Sequence, residues 1–262
     1  MIELKNIGIV FNEGTPDENI ALRDINLTIN KGDFITVIGS NGAGKSTLYN
    51  IIAGTLQPTS GTITLAGKDI THVPEYKRAN YIGRIFQNPL LGTAGKMSLE
   101  DNMIICEKKG YKALKISLNR KKREQFKSQL SVLGMGLEER LSDNVELFSG
   151  GQRQALTLLM AVMSHPDLLL LDEHTAALDP ANAETIMELT KKFAKEYNLT
   201  VMMVTHNMSH ALSYGNRLLM MDGGRIISDL SGEDKQKLTM DGVVERFRQI
   251  KNGTLSDGLL LH

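Results

Sequence analysis

The sequence predicts an α/β fold with a mostly parallel sheet and an inserted helical lobe. Short apolar strands alternate with helical segments along most of the 262 residues, which favours a parallel sheet covered on both faces. Between about 98 and 163, Lys, Glu, Leu and Met recur with helical spacing and β-branched runs disappear. The predicted division is an α/β core at 1–88 and 164–230, a helical lobe at 89–163, and a short helical tail at 231–262.

The opening third of the chain has the pattern of strands joined by turns. Residues 2–10 alternate loosely between apolar and polar, and 25–29 alternate strictly. Residues 34–38 are almost all apolar, as expected of a strand covered on both faces. A glycine-rich loop follows, and helical spacing begins at Ser46 and runs to Ala53.

After the lobe, strands and helices alternate again. The apolar patterns predict strands at 168–171, 200–205 and 218–221. Between them, helices are predicted at 181–197 and 207–214, the first of them amphipathic. The tail is polar from Ser231, and its spacing predicts a helix at about 239–250.

Composition excludes several classes of function. Thirty Lys and Arg residues balance thirty Asp and Glu residues, so no general attraction to nucleic acid is expected. The single cysteine, Cys106, cannot pair within the chain, which favours a reducing compartment. The first residues lack a signal peptide's apolar run, and no apolar stretch approaches the ~20 residues of a membrane-spanning helix. We therefore expect a protein that would act on a membrane from the water side.

The glycine-rich loop is the most informative motif. It fits the pattern G-x-x-x-x-G-K-[ST] and lies between a predicted strand and a predicted helix, as phosphate binding requires. Glycines let the backbone turn its N–H groups towards an anion, and the helix N-terminus adds its positive dipole end. Lys45 can reach the β- and γ-phosphates, and the Ser46 hydroxyl can bind Mg²⁺. The predicted nucleotide-binding residues are Gly39, Ser40, Asn41, Gly42, Ala43, Gly44, Lys45, Ser46 and Thr47.

A second helix start has features of a phosphate site. Ser149 and Gln152 have the spacing of a capping box, which is the ordinary structural explanation for them. Gly150 and Gly151 stand between them, and each glycine in a helix costs about 1 kcal/mol relative to alanine. A cap alone does not require these glycines, whereas bare glycines let an anion approach the backbone. The segment therefore predicts a second phosphate-binding helix start.

The phosphate loop, FSGGQ at 148–152 and LLLLDEHTAALDP at 168–180 together resemble the ATP-binding subunits of ABC transporters. The similarity covers about 2–229. It implies a P-loop NTPase (RecA-like) fold with an antiparallel β subdomain. It also implies a head-to-tail homodimer that encloses two ATP molecules. By this resemblance, Ser149, Gly150, Gly151 and Gln152 of one subunit would contact the ATP held by the other.

Two carboxylates follow the predicted strand at 168–171. In open α/β sheets, ligands bind beyond the carboxyl ends of the strands, so Asp172 and Glu173 are expected to face the phosphates. Asp172 suits Mg²⁺ as a hard oxygen ligand. Glu173 suits the polarisation of the attacking water, as its counterpart does in the family. The alternative is a pair of acids that caps the next helix.

The resemblance implies roles for four further residues. His206 matches the switch histidine that contacts the γ-phosphate, and Gln87 matches the glutamine that joins Mg²⁺ and water to the helical lobe. Asp179 matches the dimer-interface loop, and Phe11 matches the aromatic residue that stacks on adenine. The alternatives are half a zinc site at His206 and His210, an ordinary turn at Gln87, an N-cap at Asp179 and a core residue at Phe11.

Two positions depart from the family pattern. Phe148 stands where the signature usually has Leu, and His174 stands where the family usually has Pro.

One segment is a candidate for docking. Residues 88–103 carry Leu90, Leu91 and Met97 among glycines, which predicts a partly exposed apolar surface that receives a membrane permease. The basic stretch 120–123 is interpreted as a solvated helix face.

These observations predict an ATPase, which converts ATP and water to ADP and phosphate to energise an ABC transporter. An importer is favoured. Its expected partners are a second ATPase subunit, permease subunits and, indirectly, an extracytoplasmic solute-binding protein; its expected place is the cytoplasmic side of the cell membrane. DEHTAALDP and YGNRLLMMDGGRI resemble an importer branch for amino-acid-like solutes, with aromatic ones as an option. The alternatives are a non-transport ABC ATPase and a P-loop small-molecule kinase.

Overall fold

The computed structural model describes residues 1–107 and 118–248, which divide into two compact units. Unit 1 consists of Met1–Ile52, Leu56–Thr71 and the chain from Met203 onward. Unit 2 consists of Ala53–Thr55 and His72–Met202. This partition differs from the predicted core and lobe, because the strands before and after the helical lobe belong to the same unit as the lobe. Within the described ranges, no helix combines the length and apolar character that crossing a bilayer needs.

Unit 1 contains a four-stranded antiparallel sheet in the order β2-β1-β4-β5. Its strands are β1 (Ile2–Phe11), β2 (Asn19–Ile29), β4 (Ser60–Leu65) and β5 (Lys68–Asp69). Ile2 pairs with Ile29 and Phe11 with Asn19 across the β1–β2 hairpin. The apolar residues of β1 and β2 alternate with polar ones and are buried on one face. The antiparallel β subdomain is confirmed.

Unit 1 also contains strands of a second sheet, in the order β10-β9-β3-β8. These are β3 (Phe34–Gly39), β9 (Arg217–Asp222), β10 (Arg225–Ser231) and the second half of β8 (Val201–Val204), a strand that the division splits after Met202. β3 and β9 are parallel, with Gly39 opposite Met221, while β10 returns antiparallel to β9. Helices α1 (Lys45–Ala53) and α7 (Met208–Ser213) follow β3 and β8. The all-apolar run of β3 is buried, as predicted for a strand covered on both faces.

The C-terminal tail is not simply polar. It forms α8 (Gly232–Gln236) and a further helix, α9, at 240–248. Val243 is completely buried against Ile38, Leu218 and Met220 of the sheet. Residues from 249 onward, including the last two of the predicted helix, lie outside the described residues. The tail therefore also carries apolar residues, among them Leu238, Val243 and Phe247, that pack against the sheet.

Lys235 of α8 ties the tail to unit 1. Its side chain is only 4% exposed, and its Nζ donates hydrogen bonds to the carbonyl oxygens of Tyr214 and Gly215 and lies 3.4 Å from the Thr36 hydroxyl. These carbonyls follow α7, so the ammonium group caps the C-terminus of that helix. Burial lowers the pKa of Lys235 to about 8, because a low-dielectric environment disfavours its charge.

Unit 2 contains the first half of β8 and two whole strands, β6 (Ile82–Ile85) and β7 (Leu168–Asp172), which are parallel to each other. Its helices are α2 (Glu75–Arg78), α3 (Leu99–Glu107), α4 (Arg120–Ser131), α5 (Gly150–Met163) and α6 (Pro180–Glu196). The parallel strands and the group of helices between them agree with the predicted fold class. α5 begins at Gly150, directly after the Ser149 cap, so both signature glycines lie inside the helix.

The basic stretch at the start of α4 is only partly a solvated face. Arg123 donates two hydrogen bonds to the buried carboxylate of Glu100, at 2.8 and 3.0 Å. Lys122 forms an ion pair with Glu107. Two of the four basic residues therefore join α4 to α3, which corrects the interpretation from sequence, because their acidic partners lie in a different helix.

Candidate functional site

The phosphate loop links β3 to α1 in unit 1. Gly42 and Gly44 have φ values of 79° and 94°, in the region that favours glycine. A Cβ atom at Gly44 would lie 2.8 Å from the Ala21 carbonyl oxygen, and one at Gly39 would lie 2.3 Å from that of Met221. The glycines are therefore required both by backbone conformation and by close packing against β2 and β9.

Lys45 lies inside this loop. It is buried, and its Nζ donates to the carbonyl oxygens of Gly39 at 2.8 Å and Ser40 at 2.9 Å. The hydroxyl-bearing residue Ser46 is exposed at the first turn of α1, and Thr47 is half-buried. The ammonium group and the helix start are thus held together around a loop of bare backbone, which is the arrangement expected for binding phosphate.

Asp222, at the end of β9, supports the phosphate loop. Its carboxylate accepts a short hydrogen bond from the Ser40 hydroxyl. Two residues later, Gly224 donates its N–H to the carbonyl oxygen of Ala43 at 3.2 Å. Sequence reasoning missed Asp222, since a residue 182 positions from Ser40 carries no local signal of this contact.

His206 and Phe11 also belong to unit 1. Thr205 donates its N–H to the Val37 carbonyl at 3.2 Å, so β8 and β3 end at the same edge of the sheet, and the next residue, His206, is exposed there. Phe11 is the last residue of β1 and is half-buried, which disfavours the alternative of a core phenylalanine.

The zinc alternative at His206 and His210 gains no support from unit 1. The His210 ring packs edge-on against Tyr214, with the ring centroids 5.6 Å apart, and its backbone N–H donates to the Asn207 side chain that caps α7. Within residues 1–107 and 118–248, no group of three or more His, Cys, Asp or Glu residues is arranged to hold a metal.

Unit 2 brings together Gln87, Asp172 and Glu173. β6 and β7 run parallel with Ile85 opposite Leu171, so the residues that follow both strands lie at one edge of the sheet. Asp172 ends β7 and lies 4.0 Å from the guanidinium of Arg84. Gln87 is exposed just beyond β6. Gln87, Asp172 and Glu173 thus all follow strands that end at one edge of the sheet in unit 2.

Glu173 has a strained backbone. Its φ of 46° lies in the left-handed region, which non-glycine residues adopt only where the surroundings enforce it. The next residue, His174, is buried, and its Nε2 lies 3.3 Å from the Thr190 hydroxyl of α6. An imidazole at this position therefore gains an anchor on α6 that a proline could not make.

The signature forms a complete capping box. Gln152 donates its N–H to the Ser149 hydroxyl at 3.2 Å, and Ser149 donates its own to the Gln152 side chain at 3.1 Å. A Cβ atom at Gly151 would lie 2.7 Å from the side-chain oxygen of Asn182 in α6. Close packing against Asn182 therefore favours glycine at 151 within the unit itself. A Cβ at Gly150 would meet only ordinary contact, at 3.5 Å from Leu178.

Asp179 caps α6, as one interpretation predicted. Its carboxylate accepts the N–H of Asn182 at 3.1 Å and also the side-chain amide of the same residue. The hydrogen bonds from Asn182, the side-chain bond first, lower the pKa of Asp179. Since Asn182 also packs on Gly151, it links the signature to Asp179, and Asp179 itself remains exposed.

The segment predicted to dock begins with a 3₁₀ turn at Pro89–Gly92. Leu90, Leu91 and Met97 are 49%, 68% and 39% exposed, in agreement with an apolar surface. Gly92 also borders a groove of about 280 Å³ in unit 2. Its other walls come from the end of α1, from α2, from β6 and from the second half of α5, together with Phe86 and Cys106.

Comparison with known proteins gives consistent matches. The family model described as ABC transporter matches residues 22–176. The tyrosine transport ATP-binding protein of Clostridioides difficile (strain R20291) is 40% identical over 247 residues, which cover 94% of this chain and 98% of that protein. The methionine import ATP-binding protein MetN 1 of Oenococcus oeni is 34% identical over 260 residues, or 96% of this chain and 71% of that protein.

Solved structures agree with the fold. A dimeric, post-hydrolysis ATP-binding cassette bound to ADP and phosphate has a TM-score of 0.72 and 27% identity, covering 88% of this chain and 98% of that one. The cbiO1 protein of Clostridium perfringens, part of the ABC transporter complex cbiONQ, has a TM-score of 0.74 and 26% identity, covering 98% of both chains.

Proposed function

This chain belongs to the ABC transporter family as one of its ATP-hydrolysing subunits, and we propose that it drives the import of an amino-acid-like solute, with an aromatic amino acid as the first candidate. The observation that carries the proposal is the match to the tyrosine transport ATP-binding protein, which runs almost from end to end in both chains. The matches to methionine import proteins support the same class of solute.

We assign ATP to residues 39–47, with Lys45 on its β- and γ-phosphates and Phe11 against adenine. The half-buried ring of Phe11 offers a flat apolar face, and Lys45 is already positioned inside the loop. The Ser46 hydroxyl, the Asp172 carboxylate and the Gln87 amide are hard oxygen donors of the kind that Mg²⁺ prefers. Bound Mg²⁺ would neutralise phosphate charge.

We assign the polarisation of the attacking water to Glu173 and contact with the γ-phosphate to His206. The strained φ of Glu173 supports a functional role, since such strain concentrates at sites where the direction of a side chain matters. His206 is exposed just after β8, which ends at the same edge of the sheet as β3. Together these residues would convert ATP and water to ADP and phosphate.

A head-to-tail pair of chains is the assembly we propose. Gly150 meets only ordinary contact inside its own unit, and Ser149 is exposed, so both can approach a nucleotide held by another copy. Gly151 and Gln152 complete this surface, and Asp179 lies beside it through Asn182. This arrangement makes closure of the pair depend on ATP.

The permease is proposed to dock on Leu90, Leu91 and Met97 and in the groove beside Gly92. Exposed apolar side chains next to a preformed groove are suited to receive a short amphipathic helix from another subunit. An extracytoplasmic solute-binding protein would act on the permease and not on this chain. The proposed site of action is thus the cytoplasmic face of the membrane.

The proposal is tested by reconstitution of this chain in proteoliposomes with the permease encoded beside its gene. ATP-dependent uptake of labelled tyrosine is expected, with stronger competition from phenylalanine than from methionine. The Glu173→Gln variant should abolish uptake and serves as the control for coupling to hydrolysis. Uptake of methionine that tyrosine does not reduce would overturn the aromatic assignment, and ATP-dependent export would overturn the importer.

A further inference from the structure

We propose that Asn102 is the positioning residue that fixes the docking segment to the signature, so that a displacement of one is passed to the other. The docking segment is 89–98, and the signature lead-in is 141–148. The inference rests on the proposed function, because it assumes that the permease contacts the docking segment.

Asn102 lies in α3 and is 3% exposed, yet its side chain has several backbone partners. Its Oδ1 accepts the N–H of Ala94 at 2.8 Å. Its Nδ2 donates to the carbonyl oxygens of Ala94 at 3.1 Å and Ser98 at 2.9 Å. One buried side chain therefore holds residues 94–98 in a closed loop, and its removal would leave the half-buried N–H of Ala94 without its acceptor.

The loop that Asn102 shapes is bonded to the signature lead-in. Ser98 and Asn144 form an isolated antiparallel bridge. Four backbone hydrogen bonds of 2.9–3.2 Å join the docking segment and the start of α3 to the lead-in: Glu146 N–H to Gly95 O, Val145 N–H to Met97 O, Leu99 N–H to Asp143 O, and Glu100 N–H to Leu141 O. Residues 95–100 are thus paired with residues 141–146 of the lead-in.

A second contact reaches the signature helix directly. A Cβ atom at Gly92 would lie 2.6 Å from the Thr157 methyl group of α5, so the 3₁₀ turn rests on that helix. The lead-in itself ends at Phe148, which is buried and precedes the Ser149 cap of α5. The docking segment therefore contacts α5 in its middle and is bonded to the chain that enters its N-terminus.

This arrangement leaves little freedom between the two functional surfaces. Leu91 and Met97 are exposed, while Asn102 and Val145 beneath them are buried. Packed interiors rearrange between discrete states and do not deform smoothly. A movement of the permease that displaces the exposed side chains therefore displaces the signature with them. Asn102 makes this transfer possible by keeping the loop in the shape that pairs with the lead-in.

The first test replaces Asn102. Asn102→Ala removes every side-chain bond, and Asn102→Asp keeps only the acceptor. Stimulation of ATP hydrolysis by the permease should fall roughly tenfold in both, within the usual range of coupling energies. Basal hydrolysis of the isolated chain should stay within about twofold of wild type, which a general loss of structure would not allow. Asn119→Ala, which removes the cap of α4, is the matched control and should keep stimulation.

The second test does not depend on the folding of those variants. A Cβ atom at Gly95 would lie 3.6 Å from the Glu146 Cβ, within disulfide distance. The test combines Gly95→Cys with Glu146→Cys, so that a disulfide formed on oxidation locks the two segments together. Both substitutions are made in the Cys106→Ser variant, and Cys106→Ser alone is the control. If they already move together, the oxidised protein keeps its permease-stimulated hydrolysis. Stimulation that is lost on oxidation and restored by dithiothreitol would overturn the inference.

The outcomes separate this inference from the function on which it rests. If Leu91→Glu leaves permease binding intact, the docking proposal fails, and the inference fails with it. If Leu91→Glu abolishes binding while both Asn102 variants keep full stimulation, only the role of Asn102 fails.

Discussion

At Glu173 the chain holds a carboxylate on a left-handed backbone between the buried strand β7 and the buried side chain of His174. His174 contacts Thr190, whose hydroxyl in turn donates to the Ile186 carbonyl of α6 at 2.7 Å. The residue after the proposed base is therefore anchored in the core of unit 2. We infer that this anchor enforces the strained φ of Glu173 and directs its side chain.

Glu173→Gln tests the role of that carboxylate. The amide keeps the size of the side chain but cannot accept a proton from water, so hydrolysis should fall by roughly 100-fold or more. ATP binding should persist, and the variant should run as a dimer in gel filtration with ATP. Glu188→Gln, an exposed acid of α6, is the matched control. Wild-type turnover in Glu173→Gln would remove this residue from the role of base.

Lys235 predicts a pH dependence of stability. Its pKa in the folded chain is about 8, below the ordinary value of 10.5, because burial disfavours the charge. Between these values the unfolded chain binds more protons, so this group makes the free energy of unfolding rise as pH increases from about 8 towards 10.5. Below about pH 8, Lys235 is charged in both the folded and the unfolded chain, so the whole cost of burying its charge lowers the free energy of unfolding.

The measurement is urea unfolding of wild type and Lys235→Met at several pH values across that window. The free energy of unfolding of wild type should rise relative to that of the variant, because methionine has no proton to lose. If the free energies of unfolding of wild type and Lys235→Met change in parallel with pH, Lys235 does not change its protonation on folding. Lys237→Met is the control, since Lys237 is exposed and pairs with Glu233 on the same helix face.

At the scale of elements, the structure explains why α5 tolerates two glycines in its first turn. Two glycines in succession are unfavourable within a helix, at about 1 kcal/mol each relative to alanine. Gly151 is nevertheless helical, because it lets α5 approach Asn182 of α6 more closely than any side chain would. Contact between two helices thus outweighs the local preference of the backbone.

The docking segment provides the element-scale prediction. Leu91→Glu or Met97→Glu places a charge on an exposed apolar surface, so co-purification with the permease should be lost while ATP binding is spared. Val132→Glu is the control, because Val132 is an exposed apolar residue at the end of α4, outside the docking segment. Unchanged co-purification would contradict docking at this surface.

At the scale of the whole molecule, a head-to-tail pair predicts complementation between defective chains. Lys45→Ala damages the phosphate loop, and Ser149→Arg blocks the signature, so each variant alone should be inactive. Random pairing of equal amounts makes about half of all dimers mixed, and each mixed dimer contains one intact site. Hydrolysis should therefore reappear on mixing, at roughly a quarter of the wild-type rate.

The control is a mixture of each inactive variant with a chain that carries both substitutions. It contains no intact site and should stay inactive. The measurement is phosphate release as a function of mixing ratio, with a maximum at equal amounts of the two single variants. Absence of recovery, with dimers present in gel filtration, would contradict the assignment of loop and signature to different chains.

Sequence alone predicted the alternation of strands and helices, the phosphate loop and the position of Asp172 and Glu173 directly after a buried strand. These features are local: a buried strand is a continuous apolar run, and a phosphate loop is defined by glycines beside one lysine. The chemistry of each motif follows from the same few neighbouring residues, so the family and the type of reaction were accessible without a structure.

Tertiary structure alone decided which distant residues support those motifs. The bond of Ser40 to Asp222, the burial of Lys235 beneath Tyr214 and the bonding of 95–100 to 141–146 all join segments far apart in the chain. Asp, Lys and Asn at these positions have no periodicity that distinguishes them from surface residues. Their partners are chosen by the packing of strands and helices in three dimensions, which a linear pattern does not encode.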